Sequence, residues 1–224
     1  MRLWLRHNSL SLFFGILFLA ALFGQSLAGH QAFNQEQSEH DSPSVSYVRY
    51  LTSSDFGEAI TENWQSEFLQ FSLFILATVW LVQRGSNESK KPEEAGLESE
   101  AQQLIGSHAQ PNSPRWAKRG GWRTRLYSNS LLLVMTALFF GSWFAQSATG
   151  WTKYNDEQGE HSGNVVSWAT YVTSSDFWED TLQNWQSEFL AVGTMAVFTV
   201  YLRQRGSPES KPVGAPHDET GSSG

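Results

Sequence analysis

A run of seven residues that occurs twice is the strongest constraint on how this chain can fold. Residues 63–69 read NWQSEFL, and the same seven letters return at residues 184–190. When the chain is aligned on this heptapeptide, residues 8–90 match residues 129–211 without a gap, and roughly half of the paired positions are identical. A repeated unit of this length predicts a tandem duplication, with two similar halves rather than one mixed core.

Each repeat contains two apolar runs separated by a strongly polar segment. The first runs, at about 10–28 and 130–149, hold about 19 residues, enough at about 1.5 Å per residue to cross a hydrocarbon core of about 30 Å. The second runs, at about 66–83 and 187–203, are shorter and need their flanking residues to complete a span. The predicted fold is an all-α membrane protein of four transmembrane helices, a tandem duplication of a helical hairpin with a pseudo-two-fold along the membrane normal.

The first apolar run also fits a secretory signal, because Arg2 and Arg6 precede it and Ser26-Leu27-Ala28 resembles a cleavage site. Its copy at residues 131–149 has the same layout far inside the chain, where a removable signal has no role. We therefore interpret both runs as retained transmembrane helices.

Acidic residues and glycines predict where the second helix of each repeat begins and ends. The expected start is an N-cap aspartate with a glutamate three residues later, and the expected end is a glycine able to adopt a left-handed conformation. These residues are Asp55, Glu58 and Gly85 in the first repeat, and Asp176, Glu179 and Gly206 in the second.

Basic residues predict the topology. Of the 15 Lys and Arg residues, all but Arg49 and Lys153 lie at the N-terminus, in the segment between the second and third predicted helices, or at the C-terminal end. The positive-inside rule therefore places both chain termini and the central connection in the cytoplasm. The expected organisation is a first repeat at 1–91, a cytoplasmic linker at 92–125, a second repeat at 126–212 and a disordered tail at 213–224.

Charge and composition restrict the partners. The segment from Arg115 to Arg125 is basic and carries two tryptophans, which predicts contact with anionic lipid headgroups. A net charge of −7 argues against a nucleic-acid partner, and the absence of cysteine excludes disulfides and thiolate sites. No catalytic constellation or phosphate-binding loop is present, so we expect no enzyme activity and no cofactor.

Several short motifs resemble a known family. They are Asn8-Ser9-Leu10-Ser11, Gly24-Gln25-Ser26, residues 34–40 and 50–56, the heptapeptide, and Gln-Arg-Gly-Ser followed by Glu-Ser-Lys. In these motifs the chain is similar to a bacterial membrane-protein family known only as a domain of unknown function. The resemblance implies a helical bundle in the bacterial cell (inner) membrane, and it supplies no catalytic or binding residues.

Glu67 and Glu188 are the first candidate site, together with Asn63 and Asn184 of the same heptapeptides. A carboxylate at the edge of hydrocarbon is costly unless it is paired or protonated, and two at equal depth can form a proton or cation site. The alternative is that both simply reach interfacial water.

Two further sets of polar residues stand near the outer ends of the first helices. Glu36 with His40, and Glu157 with His161, have helical spacing that suits a divalent metal, although such residues are commonly solvated helix ends. Gln25 and Gln146 are expected to form polar contacts between helices.

These residues leave three functions open. The first is a non-enzymatic structural or interaction role in the bacterial cell envelope, with a protein partner. The second is a small proton- or cation-coupled transporter or channel that uses Glu67 and Glu188. The third is metal binding in the envelope. The ligand and the oligomeric state do not follow from the sequence.

Overall fold

The computed structural model describes residues 2–160 and 163–221, and within these ranges the chain is helical with connecting loops and no strand. The α-helices are α1 (Arg2–His7), α2 (Ser9–Glu39), α3 (Tyr47–Leu51), α4 (Ser54–Ala77), α5 (Arg115–Arg119), α6 (Gly121–Ser128), α7 (Ser130–Glu160), α8 (Trp168–Tyr171) and α9 (Ser175–Tyr201). Short 3-10 helices lie at Pro92–Glu94 and Gly106–His108. The all-helical prediction is confirmed.

The chain forms two compact units. Unit 1 combines Met1–Ile60 with Ala145–Trp168, and unit 2 combines Thr61–Phe144 with Ala169–Gly224. The long helices α4 and α7 contribute residues to both units, so the compact units do not coincide with the two repeats.

In unit 1 an asparagine side chain holds the loop that follows the first helix of each repeat. Asn34 donates from Nδ2 to the Val45 carbonyl over 3.1 Å and accepts from the Val45 amide over 2.7 Å. Asn155 makes the same two bonds to Val166, over 3.0 Å and 2.8 Å. Because an amide side chain satisfies both backbone groups at once, each loop is fixed locally against its own helix.

A second pair of bonds ties the short helices α3 and α8 to the preceding long helices. The Ser26 and Tyr47 hydroxyls lie 2.6 Å apart, and Nε1 of Trp168 donates to the Ser147 hydroxyl over 3.1 Å. The two contacts occupy equivalent positions of the two repeats although their aromatic residues differ.

Serines cap the second helix of each repeat. The Ser53 hydroxyl accepts from the Phe56 amide, and the Ser174 hydroxyl accepts from the Phe177 amide, each over 3.3 Å. Asp55 and Asp176 lie inside the first turn instead of at the N-cap. Serine and aspartate are both good N-caps, and here the serines are at the first non-helical position.

The α4 helix ends earlier than the apolar pattern suggests, at Ala77 rather than near residue 83. The Val79 and Trp80 amides donate to carbonyls three residues earlier in the chain. The Gly96 amide of the linker donates to the Val79 carbonyl over 2.6 Å. These bonds replace the next helical turn. Gly85 and Gly206 adopt positive φ of 87° and 82°, as predicted, but in the loops beyond the helices.

Aromatic rings fill the interior of unit 2. Trp143 of α7 stacks on Phe139 and on Phe177 of α9, with ring centroids 5.6 Å and 6.1 Å apart. Trp178 and Trp185 of α9 meet the same indole at 5.9 Å and 5.8 Å. Rings at these separations hold α9 against the first half of α7.

Two helices are long and apolar enough to cross a membrane, Ser9–Glu39 and Ser130–Gly159. Only 6% of the apolar window of the first is buried, and its side chains are exposed, with Leu10 at 71%, Ile16 at 66% and Phe23 at 61%. By length and composition the structure therefore supplies two spans, where the sequence predicts four.

Candidate functional site

The segment that follows α4, and its counterpart after α9, folds in the same way in both repeats. The Gln83 amide donates to the Ser89 hydroxyl over 2.9 Å, and the Gln204 amide donates to the Ser210 hydroxyl over the same distance. Each of these motifs, Gln-Arg-Gly-Ser followed by Glu-Ser-Lys, is thus a loop closed on itself by its own serine.

A second serine in each loop positions a glutamate. The Glu88 amide donates to the Ser86 hydroxyl over 3.1 Å, and the Glu209 amide donates to the Ser207 hydroxyl over 3.2 Å. Glu88 and Glu209 are equivalent positions of the two repeats. The two loops therefore present one carboxyl group each, with the backbone held in the same manner.

These two carboxyl groups are close enough to interact with each other. Burial and the neighbouring Glu209 carboxyl raise the pKa of Glu88 above its ordinary value of 4.5. Oε1 of Glu88 is buried, and no donor in the described part of the chain bonds to it. Two adjacent carboxyl groups repel each other when both are ionised, so this arrangement favours the binding of one proton or one cation by the pair.

An apolar cavity of about 240 Å³ opens beside this carboxyl pair, between the second halves of α4 and α9. Each residue that lines it on one helix is matched by the equivalent residue of the other repeat. The lining residues are Gln70, Phe71, Phe74 and Glu88 from the first repeat, and Ala191, Val192, Met195 and Glu209 from the second. The cavity therefore lies where the two repeats face each other in unit 2.

Direct bonds between the repeats close the same end of unit 2. The Ser86 and Thr199 hydroxyls lie 2.9 Å apart in the interior, and Nδ2 of Asn87 donates to the Pro208 carbonyl over 3.0 Å. These bonds fix the loop that carries Glu88 against α9 and against the loop that carries Glu209.

The C-terminal segment packs on this end, in contrast to the disorder expected from its composition. Nζ of Lys211 donates to the carbonyls of Pro216, His217 and Glu219 over 2.9 to 3.0 Å, and Lys211 is 1% exposed. Burial, with the nearby Arg203 cation, lowers the pKa of Lys211. A buried ammonium group that donates to three carbonyls holds the tail in one conformation, which composition alone does not predict.

The tail also contacts the first loop. The Gly85 amide donates to the Thr220 hydroxyl over 2.8 Å, the Gly221 amide donates to the Ser86 carbonyl over 3.1 Å, and Arg84 pairs with Asp218. A side chain at Gly85 would meet the His217 carbonyl, so the positive φ and the close approach both require glycine there.

The sequence-predicted carboxylates lie near the middle of α4 and α9, one turn before the residues that line the cavity. Glu67 is exposed and Glu188 is half-buried, and the two are close enough to interact electrostatically. Nδ2 of Asn184 donates to the Glu62 carboxylate over 2.6 Å, whereas Asn63 is exposed. The structure thus brings Glu67 and Glu188 into range of each other, and Asn184 bonds across the repeats to a carboxylate.

The heptapeptide contains a contact that the sequence did not indicate. Nε1 of Trp185 donates to Oε1 of Gln65 over 2.7 Å, and Gln65 is fully buried with its Nε2 bonded to no described acceptor. The equivalent Gln186 is exposed. Identical heptapeptides therefore occupy different environments.

The predicted metal residues are only partly brought together. In unit 1, Glu36 and Glu157 line one cavity of about 400 Å³, together with Asp55, Asp156 and Lys153. His40 is exposed just after α2, and His161 lies outside the described residues. Within residues 2–160 and 163–221 no group of three His, Asp or Glu side chains is arranged to hold a metal ion.

Lys153 lies in this cavity and pairs with two carboxylates. Its Nζ lies 3.0 Å from the Glu58 carboxylate and 3.9 Å from that of Glu157. Burial lowers the pKa of this lysine, but the Glu58, Glu157 and Asp55 carboxylates raise it by more, so the net shift is upward. The protein's own cation therefore lies among the carboxylates of this cavity, and the metal site stays a prediction because His161 lies outside the described residues.

Gln25 and Gln146, which were expected to form polar contacts between helices, differ in burial. Gln146 is 2% exposed and its Oε1 has no described donor, whereas Gln25 is exposed. Of the pair, only the residue in the second repeat is in an interior position.

Residues 1–222 match the family described as Domain of unknown function (DUF6766). The chain belongs to this family. No curated protein and no solved structure matches it.

In this DUF6766 member the structure brings Glu88 and Glu209 together, and the sequence patterns did not predict this pair. A signal was available, because the loop motif after the second apolar run is repeated and both copies keep a glutamate next to the same serine. The charge of these loops was interpreted only as a topology signal, since nothing in one copy of the motif shows that the other copy packs against it.

Proposed function

We propose that this DUF6766 member is an integral protein of the bacterial cell (inner) membrane that crosses the bilayer four times as a duplicated helical hairpin. The exposed apolar side chains of α2 and α7 support it, because many of them are 40 to 71% exposed, which suits lipid and not water. The second halves of α4 and α9 expose Phe71, Leu73, Phe198 and Tyr201 in the same way.

The proposed topology has both termini and residues 92–125 in the cytoplasm. The basic segment within this connection contains α5 and α6, where Trp116 and Trp122 meet with ring centroids 6.3 Å apart and Arg123 lies over the Trp122 ring. Aromatic rings beside basic groups suit the headgroup region, so this segment would bind anionic lipid.

Reporter fusions test this topology. Cytoplasmic reporters joined after residue 114 and after the C-terminus should be active, and export-dependent reporters joined after residues 45 and 166 should be active instead. An active export-dependent reporter after residue 114 would contradict the four-span arrangement, because a chain with only two spans places that residue differently.

The function that the geometry supports best is a small, non-enzymatic, proton- or cation-coupled transporter or channel. The observation that carries this proposal is the carboxyl pair of Glu88 and Glu209, one from each repeat, at the mouth of a cavity between α4 and α9. Glu67 and Glu188 are a second pair close enough to interact, near the middle of the same two helices, and the apolar residues of the cavity follow them in the sequence. Two carboxyl pairs separated by apolar side chains can each bind a cation or a proton and can transfer it from one pair to the other.

The apolar residues between the two pairs would act as the barrier. Phe71 and Phe74 follow Glu67 at helical spacing on α4, and Val192 and Met195 follow Glu188 on α9. Ions do not cross such side chains without rearrangement, so a carrier would alternate the access of the two carboxyl pairs.

Flux measurements in proteoliposomes test the proposal. We expect proton- or cation-driven flux that falls strongly in the double variant Glu88→Gln with Glu209→Gln, and also in Glu67→Gln with Glu188→Gln. Glu93→Gln is the matched control, since Glu93 is exposed in the linker and should leave flux unchanged. Undiminished flux in the Glu88 and Glu209 double variant would refute the proposal.

A structural or interaction role in the cell envelope is the second candidate. It is favoured by the cavity in unit 1, where Glu36, Asp55, Asp156 and Glu157 surround Lys153 in segments expected outside the membrane. Such a surface would suit a basic segment of an envelope protein. This role predicts that Asp156→Asn and Glu36→Gln disturb function while both double variants of the carboxyl pairs have no effect.

A further inference from the structure

The cavity beside Glu88 and Glu209 combines two kinds of chemistry that one class of ligand requires. Its walls are apolar and include the two phenylalanines of α4, together with Val192 and Met195 of α9. Among the described residues that line it, the charged groups are these two carboxyls, and Gln70 adds one amide group. An apolar compartment with an aromatic side and an anionic end is complementary to a cation that carries hydrophobic substituents.

We propose that this cavity binds a small lipophilic organic cation, such as an aromatic or alkyl ammonium ion, in exchange for the proton shared by Glu88 and Glu209. The proposal rests on the transport function above and names its substrate class. The exchange balances in charge, because one monovalent cation enters as one proton leaves the carboxyl pair, so the site keeps the same net charge.

Four basic groups of the described residues near the carboxyl pair are engaged elsewhere. Arg84 pairs with Asp218, Lys90 pairs with Glu98, and Lys211 is occupied by three backbone carbonyls. Arg203 donates to the carbonyls of Thr199 and Val200, and again to that of Ala215. The free Oε1 of Glu88, which no described donor reaches, is the position that an ammonium group would occupy.

Size supports a small ligand. Drug-sized molecules occupy pockets of roughly 300 to 1,000 Å³, whereas an apolar cavity of about 150 Å³ holds benzene. At about 240 Å³, the cavity has room for one aromatic ring with a compact ammonium head. Benzyltrimethylammonium is therefore a suitable probe, and the neutral neopentylbenzene is its uncharged counterpart.

The first test is calorimetric binding of benzyltrimethylammonium to the full chain in lipid nanodiscs, in two buffers that differ in ionisation enthalpy. Below the raised pKa of Glu88 we expect one proton released per cation bound, and the affinity should increase as the pH rises through that pKa. The double variant Glu88→Gln with Glu209→Gln should lose binding, and Phe74→Ala should weaken it about tenfold through the lost ring contact. Glu93→Gln should bind like the wild type.

Three outcomes would overturn the proposal: no binding by the wild type, equal binding of neopentylbenzene, or cation binding without proton release below the raised pKa of Glu88. A conservative variant, Glu209→Asp, guards against misfolding, because it keeps the charge and should retain binding where the glutamine variant does not.

Parallel flux measurements separate this proposal from the transport function. Carboxyl-dependent flux of protons or inorganic cations without binding of the organic cation would refute the ligand and leave the transport function standing. Binding with proton release but no flux would support the site and refute transport.

Discussion

The indole nitrogen of Trp185 donates a hydrogen bond to Oε1 of Gln65 over 2.7 Å, which joins the two copies of one heptapeptide inside unit 2. Gln65 is fully buried, so the loss of the donor leaves its oxygen unpaired. We expect Trp185→Phe to lower the free energy of unfolding by about 1 to 3 kcal/mol.

A double-mutant cycle with Gln65→Leu isolates this bond. The coupling between the two positions should be about 1 kcal/mol, measured by reversible unfolding in detergent. Independent, additive effects of the two substitutions would show that the bond contributes nothing.

Asn34 and Asn155 each satisfy both backbone groups of a loop valine, and an aspartate at either position can replace only the acceptor. We expect Asn34→Asp to repel the Val45 carbonyl and to accelerate hydrogen exchange of the nearby loop amides by about tenfold or more, equivalent to about 1.4 kcal/mol. Asn155→Asp should do the same near Val166. Asn112→Asp, in the exposed linker, is the control, and equal exchange in all three variants would contradict the role of the two asparagines.

The carboxyl pair predicts a specific pH dependence of stability. Burial and the Glu209 carboxyl raise the pKa of Glu88 above its ordinary value of 4.5, so the folded state binds the proton more tightly than the unfolded state. The stabilisation is fully present below the ordinary pKa and is lost as the pH rises through the raised pKa.

Thermal unfolding between pH 4 and pH 8 tests whether the stability falls as the pH rises. As the pH rises through the raised pKa, the melting temperature of the wild type should fall relative to that of Glu88→Gln, which has no titrating group at position 88. A wild type that gains stability relative to the variant over this interval would contradict the shared proton.

Lys211 gathers three carbonyls of the tail around one buried ammonium group. Lys211→Met removes all three bonds and should free residues 212–221, so that limited proteolysis cuts the tail at least tenfold faster, through a gain in local opening of about 1.4 kcal/mol or more. Lys91→Met provides the control, because Lys91 is exposed. Equal cleavage of the two variants would show that the tail is held by its other contacts.

Substitution by alanine should change the free energy of unfolding differently at Gly57 and at Gly15. A Cβ at Gly57 would lie 2.8 Å from Cγ2 of Thr149, whereas a Cβ at Gly15 would meet nothing within 4 Å. We expect Gly57→Ala to destabilise unit 1 by about 1 to 3 kcal/mol and Gly15→Ala to be neutral or stabilising by up to about 1 kcal/mol. Unfolding of the two variants under the same conditions gives the comparison.

Features that depend on a few neighbouring residues were predictable. The apolar runs correctly predicted α2 and α7, and the glycines at 85 and 206 correctly predicted positive φ, because helix length and backbone conformation are local properties. The cap was assigned to Asp55 and Asp176 where Ser53 and Ser174 act, since both residue types suit that position.

The sequence by itself thus determined the helical class, the internal repeat and the order of its elements. Only the tertiary structure decided that Glu88 meets Glu209, that Gln65 is buried while Gln186 is exposed, and that Lys153 occupies the acidic cavity. Helical periodicity predicts which residues share a face, but it does not say which two faces will pack together. The environment of a carboxylate, and with it the pKa, depends on groups far away in the chain.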